Sequence, residues 1–247
     1  MIFKSLRNIA LLFLLFAASC AKQLAPTQYS YERENINGSI QADSKIEAMI
    51  KPYKDSLDAI MNGVIIVNDD MLTKRQPESN LGNVLADAML SQANKCCGKK
   101  ADVAVLNQGG IRVAQLAPGN VTLGDIYEIM PFENRLVLMD LKGSDLRQLF
   151  DAIAHAGGWP IGGAKFKIDG EKAENITVGG LPLDNTKTYC LAISDYLADG
   201  GDKLGMIKGK PYIDSGKNIR EAFIDEFTEM NKAGKHLKSY LDNRIEK

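Results

Sequence analysis

The sequence predicts an α+β domain. Helix-period and strand-period segments succeed one another without strict alternation, and the 247 residues are 45% hydrophobic and 25% charged, enough for one sizeable core. No internal repeat or low-complexity tract breaks the chain beyond Gln41. The charge balance, 30 Lys and Arg against 31 Asp and Glu, excludes a nucleic-acid binder of the usual kind, which gathers a basic excess on one face.

From Asp43 to Asn62, apolar residues recur at three and four positions (Ile46, Met49, Ile50, Tyr53, Leu57, Ile60), the period of an amphipathic helix. VIIV (64–67) reads as a short strand. A second helix runs from Ser79 to Lys95, with Leu81, Val84, Leu85, Ala88 and Met89 on one face. DVAVLN (102–107) is a buried strand that breaks into Gly109-Gly110. LVLMDL (136–141) is another strand, after which Ser144 is expected to cap a helix whose inner stripe is Leu146, Leu149, Phe150 and Ile153. FKID, NITV and TYCLAIS supply further strands, and Ile219, Phe223, Ile224 and Phe227 line a helix near the end.

The N-terminus reads as an address. Lys4 and Arg7 form a basic region, Ile9 to Phe16 an apolar one, and Ala17, Ala18 and Ser19 lead into Cys20. The A-A-S-C ending resembles the lipobox of bacterial lipoproteins, although Ala17 stands where leucine is the commonest choice. It implies a signal segment over 1–19, lipidation of Cys20 and attachment to a membrane of the bacterial cell envelope. Without Lys4 and Arg7 the chain would carry 28 basic and 31 acidic residues, near −3. Residues 20–42 are polar and aperiodic and read as a tether, leaving 43–247 as the domain. Cys96, Cys97 and Cys190 remain; one of the adjacent pair could bridge to Cys190, or the thiols are inert and buried, and an isolated C-C pair is no metal site.

Four segments are too oddly composed for plain core or plain loop: TKRQPESNLG (73–82), NQGGIR (107–112), IMPFENR (129–135) and ISDYLADGGD (193–202). Glycines at a strand end let the backbone approach a ligand, and Arg112 offers a fork suited to phosphate. Phe132 and Tyr196, on separate loops, could sandwich a flat base, each stack being worth about 1–3 kcal/mol. Singly, each feature has a plain alternative: Gly-Gly turns are common, the aromatics could fill the core, and Lys74 and Arg75 could be solvated surface charges.

Together the segments resemble the C-terminal, substrate-binding domain of the 5′-nucleotidase / UDP-sugar hydrolase family. The order NQGGIR, VTLGDIYEIMPFEN, DYLADGGD is similar to the family's, as are the intervening LKGSDLRQLFDAI and VGGLPLDNTKTYCLA, over about residues 44–235. The resemblance implies that Phe132 and Tyr196 stack on a base, with Tyr196 standing where phenylalanine is frequent. Asp202 would bond ribose hydroxyls, Asn107 the base edge, and Arg112 and Arg75 the phosphate, while Asn134 would shape its loop or cap its own turn. The sequence departs from the family at Gln108 and Glu133, where glycine is usual, and at Met71, where some members carry a further arginine.

Family enzymes also carry an N-terminal metallophosphatase domain whose His, Asp and Asn ligands hold two metal ions. This sequence has no D-x-H and no G-N-H-[DE], and its two histidines, His155 and His236, stand apart from any ligand spacing. No catalytic residue, metal ligand or cofactor is therefore expected in this chain. Three readings follow from the resemblance. The chain could be the nucleotide- or nucleoside-binding subunit of a split phosphohydrolase, with a separate metallophosphatase chain docking on the polar outer face of the first helix (Lys45, Lys54, Asp55). It could be a stand-alone nucleotide-binding lipoprotein. It could also be an interaction module that has lost its ligand.

Overall fold

The computed structural model describes residues 30–33, 37, 38, 40–96 and 98–247. The expected signal segment, Cys20, most of the 20–42 tether and Cys97 lie outside the described residues. By compactness the chain divides into Met1–Met49 and Ile50–Lys247, a division that falls inside the first helix, α1 (Ser44–Met61). The elements that follow are β1 (Val64–Asn68), β2 (Leu72–Thr73), α2 (Asn80–Cys96), β3 (Val103–Val105), β4 (Gln115–Leu116), β5 (Gly119–Thr122) and α3 (Leu123–Ile129). Next come β6 (Arg135–Lys142), α4 (Gly143–His155), β7 (Ile161–Gly162), β8 (Ala164–Asp169), β9 (Lys172–Val178), β10 (Leu181–Pro182) and β11 (Thr188–Ser194). The chain closes with α5 (Asp195–Ala198), a 3₁₀ turn (Gly201–Lys203), β12 (Tyr212–Asn218), α6 (Ile219–Lys232) and β13 (Ile245–Glu246).

The centre is a five-stranded mixed sheet in the order β12-β6-β11-β3-β7, confirming the α+β class. Side chains of a strand alternate between faces, and here both faces are buried. Along β11, Tyr189, Leu191 and Ile193 enter one apolar cluster with Val137, Met139 and the α4 stripe of Leu146, Leu149, Phe150 and Ile153. Cys190 and Ala192 enter the other, with Leu136, Leu138, Phe223 and Phe227 of α6 and the stripe of α2. A four-stranded sheet, β10-β9-β8-β13, flanks the first cluster, and two-stranded ribbons β1-β5 and β2-β4 complete the fold.

Two expectations need correction. Ser144 does not cap α4: the helix begins at Gly143, and its first amides are met by carbonyls of the 185–187 turn, Gly143 N to Lys187 O at 2.8 Å and Ser144 N to Asn185 O at 3.1 Å. Gly143 is needed there, because a Cβ would lie 2.0 Å from the Asp184 carbonyl oxygen. The apolar stripe of α1 is not buried: each of its residues from Ile46 to Ile60 is about half exposed or more, so the apolar face of this helix is open as well as the polar one. Cys190 is a free, buried thiol whose pKa is pushed up by burial, in keeping with the inert-thiol alternative.

The last residues form a strap. Leu237 pairs with Val67, donating to its carbonyl at 2.9 Å, and β13 adds in parallel to β8. Arg244, almost fully buried, bonds both oxygens of Asp87 on α2 at 2.8 and 3.0 Å and the Ile161 carbonyl at 2.8 Å, while Tyr240 donates to Asp87 at 2.6 Å. Removing Asp87 would leave the buried guanidinium with Asp242, 2.7 Å from its Nε, as its one remaining carboxylate partner. Asp87→Ala should therefore cost about 2–4 kcal/mol in urea unfolding, whereas exposed Lys51→Ala on α1 should stay within about 0.5 kcal/mol of the parent.

Candidate functional site

The pairing of the central sheet gathers the site. β11 runs parallel to β3, with Leu191 opposite Val103, so both strands end at the same edge. β6 runs antiparallel to β11, with Leu136 opposite Ser194, so its beginning lies at that edge too. The loops after β3 and β11 and before β6 therefore converge, the position at which open mixed sheets commonly bind ligands. Asp195 secures the junction, its Oδ1 accepting the amides of Arg135 at 3.0 Å and Tyr196 at 2.7 Å.

A cavity of about 380 Å³ opens there, lined by Asn107, Gly109, Gly110, Arg112, Phe132, Asn134, Tyr196 and Asp202. Of the six residues expected to bind substrate, five are thus brought together: Phe132, Tyr196, Asp202, Asn107 and Arg112. Arg75 is not in the lining set. Its exposed side chain lies on the 73–77 segment, whose backbone is tied to the neighbouring loop by Gln108 Nε2 donating to Arg75 O at 3.2 Å. Lys74 is not a solvated surface charge, since its Nζ donates to Ile111 O at 2.7 Å.

The two aromatic rings are not core plugs, being 42% (Phe132) and 45% (Tyr196) exposed. The Arg112 guanidinium stands 5.7 Å from the Phe132 ring centroid and donates to Gly109 O at 3.2 Å. Asp202 accepts from Asn107 Nδ2 at 2.6 Å on one oxygen and from the Tyr196 hydroxyl at 2.8 Å on the other, and its own amide donates back to the Tyr196 oxygen at 3.2 Å. The bond to Asp202 holds the Tyr196 phenol above its ordinary pKa. A carboxylate with one bond on each oxygen retains lone pairs for further donors. The site thus offers two aromatic faces, a carboxylate, a guanidinium and two amides. That is a set for holding a flat, polyhydroxylated or anionic ligand.

Asp202 and Lys203 both adopt the left-handed backbone region, at φ 48° and 69°, a conformation that costs a non-glycine residue of order 1–2 kcal/mol. The neighbouring glycines are dictated by the site's own side chains. A Cβ on Gly201 would lie 2.5 Å from Tyr196 Cζ, and one on Gly110 would lie 2.6 Å from Asn107 Oδ1. Sequence reading placed these glycines for backbone approach to a ligand; their nearest obligation is to Tyr196 and Asn107.

Sequence reading missed Arg220 altogether. It sits behind the Phe132 loop, buried, donating to Met130 O and Phe132 O. An arginine beside Ile219 in an apolar helix start was the only available sign. Among the described residues no three His, Cys, Asp or Glu side chains are grouped so as to hold a metal ion. His155 pairs with Glu171 at 3.3 Å and His236 with Asp69 at 2.7 Å, so the residues present do not fit a two-metal centre. No helix among the described residues is long and apolar enough to cross a membrane.

Comparison with known proteins agrees with this geometry. Residues 61–209 match the family model for the 5′-nucleotidase C-terminal domain. The chain is 28% identical over 211 residues to a 5′-nucleotidase of Vibrio vulnificus, covering 81% of this chain and 37% of that protein. It is also 28% identical over 222 residues to the protein UshA of Yersinia enterocolitica, covering 85% and 38%. The crystal structure of a 5′-nucleotidase precursor from Thermus thermophilus superposes with a TM-score of 0.69 at 30% identity, covering 81% of this chain and 42% of the other. The chain therefore spans well under half the length of these relatives.

The contact between Gly201 and Tyr196 can be checked without a ligand. Gly201→Ala should destabilise by about 1–3 kcal/mol through overpacking. In a Tyr196→Ala background the ring's part of that cost should vanish, as read by paired urea titrations, while the part from the Tyr196 carbonyl oxygen, 2.6 Å from the added Cβ, remains; an undiminished cost would place the strain at that carbonyl alone.

Proposed function

The chain belongs to the family of 5′-nucleotidase C-terminal domains, and on that premise we propose that its cavity binds a nucleotide or nucleoside, the base lying between Phe132 and Tyr196. The observation that carries this reading is the pair of half-exposed rings on loops from different strands, facing one cavity with Asp202 and Arg112. Both rings keep open faces, and stacking tolerates any base. Asp202 would accept from the ribose hydroxyls with its remaining lone pairs. Asn107, which donates one amide hydrogen to Asp202, keeps its oxygen for the base edge. Arg112 supplies the positive charge for a phosphate, and Arg75, on the segment bonded to Gln108, would add to it.

We further infer that the chain is the specificity subunit of a split phosphohydrolase, with hydrolysis performed by a separate metallophosphatase chain. The exposed apolar residues of α1 support this, because Ile50, Tyr53, Leu57 and Ile60 present an apolar face that a partner could cover. Attachment through a lipid on Cys20 would keep both chains at one membrane surface of the bacterial envelope. A second reading, a stand-alone nucleotide-binding lipoprotein, draws support from the cavity itself, which gathers two aromatic rings, a carboxylate and a guanidinium within one chain.

Calorimetric titration in EDTA should give micromolar to low-millimolar binding of AMP and adenosine. Phe132→Ala and Tyr196→Ala should each cost about 1–3 kcal/mol of affinity, with thermal stability near the parent's. Retained affinity with lost stability would make the rings structural. Asp202→Ala frees Tyr196 and Asn107 as well as removing the ribose acceptor. Both adenosine and its 2′-deoxy analogue should therefore weaken, the ribonucleoside more; equal losses would leave Asp202 only a positioning role.

A further inference from the structure

The Phe132 ring is 42% exposed, with the Arg112 guanidinium 5.7 Å from its centroid. The Phe132 backbone is held from one side by the start of α6. Arg220 Nη1 donates to Met130 O and to Phe132 O, each at 3.2 Å, and Nη2 donates to the Glu133 carboxylate. The other Glu133 oxygen accepts from Asn218 Nδ2 at 3.2 Å, and Ile219 N donates to Asn134 O at 2.9 Å. Arg220 itself is fixed from below, its Cζ lying 4.1 Å from the Tyr127 ring centroid. Met130, Phe132, Glu133 and Asn134 thus all find partners in Asn218, Ile219 and Arg220.

From this geometry we infer that Arg220 and Glu133 are positioning residues that hold the Phe132 loop in its binding conformation; the inference rests on the nucleotide reading of the cavity. The planar guanidinium suits the task because it presents several donors in a fixed fork, which an ammonium cannot reproduce. With its side chain only 5% exposed, Arg220 needs a counter-charge, and Glu133 supplies it from the surface, its own side chain being 75% exposed. Glu133 therefore has a use that glycine at that position could not fill. Arg220 is absent from the cavity lining, so its effect on a ligand passes through the loop residues that line it, Phe132 with its ring and Asn134 beside it.

The test uses Glu133→Ala, an exposed position where the fold should survive, with Arg220→Lys as the second variant. Hydrogen exchange of the ligand-free protein addresses the latch alone. The amides of Met130 and Arg135, bonded to Ile126 O and Asp195 Oδ1, should exchange faster in both variants while those of β11 keep their protection. Unchanged exchange at Met130 and Arg135 overturns the proposal whatever the ligand proves to be. AMP titration then addresses the site. If the competent loop population falls to about a tenth, apparent affinity falls about tenfold in Glu133→Ala, and this loss shrinks in a Phe132→Ala background. A loss undiminished without the Phe132 ring overturns the positioning role. If the parent protein binds no AMP, the nucleotide reading fails, and the exchange result still decides the latch.

Discussion

The site depends on one constraint, the pairing of β11 with β3 on one side and β6 on the other. The parallel pairing to β3 and the antiparallel pairing to β6 send three chain segments to the same sheet edge. Register matters more here than in a sheet with one wet face. A slip of one residue would exchange the side chains of the two apolar clusters, moving Leu191 and Ile193 from the α4 side to the α2 side. Burial of both faces thereby places Asn107, Phe132 and Tyr196 relative to one another before any of them makes a contact of its own. The C-terminal strap, through Arg244 and Asp87, reinforces this from outside by joining α2 to β7 and to the smaller sheet.

Within that frame the binding groups are held by polar contacts and backbone geometry more than by packing. Asp202 is the hub, taking Asn107 on one oxygen and Tyr196 on the other from a left-handed backbone position. Gly201 and Gly110 leave room for Tyr196 and Asn107 at distances no Cβ would tolerate. The result is a site whose side chains are preorganised while its aromatic faces stay open. Such an arrangement reduces the ordering cost of binding. α6 serves two purposes at once. Phe223 and Phe227 fill the core, and its first turn holds the loop that carries Phe132.

Much of this was legible in the chain. The 3.6-residue spacing of Leu146, Leu149, Phe150 and Ile153 and the unbroken apolar run of TYCLAIS correspond to buried α4 and β11, because periodicity records which side faces a core. Five of six expected binding residues line one cavity. The failures have physical causes. Ser144 has the composition of a cap, yet the turn at 185–187 was close enough to satisfy the same amides. The stripe of α1 shows amphipathicity without showing what it faces. The two-residue strands β7 and β13 and the largely exposed β12 exist through pairing with distant partners and leave little local signal.

By itself, then, the sequence determined the α+β class, the main helices and strands, the family and the segments that carry the site, since each of these is written in local composition and spacing. Only the tertiary structure decided which side chains meet. That Arg75 stays out of the cavity lining, that Tyr196 is tied to Asp202, and that Arg220 stands behind Phe132 are all consequences of contacts between residues brought together by the fold. Such contacts are set by strand register and by where helices come to rest on the sheet, and no local pattern encodes them.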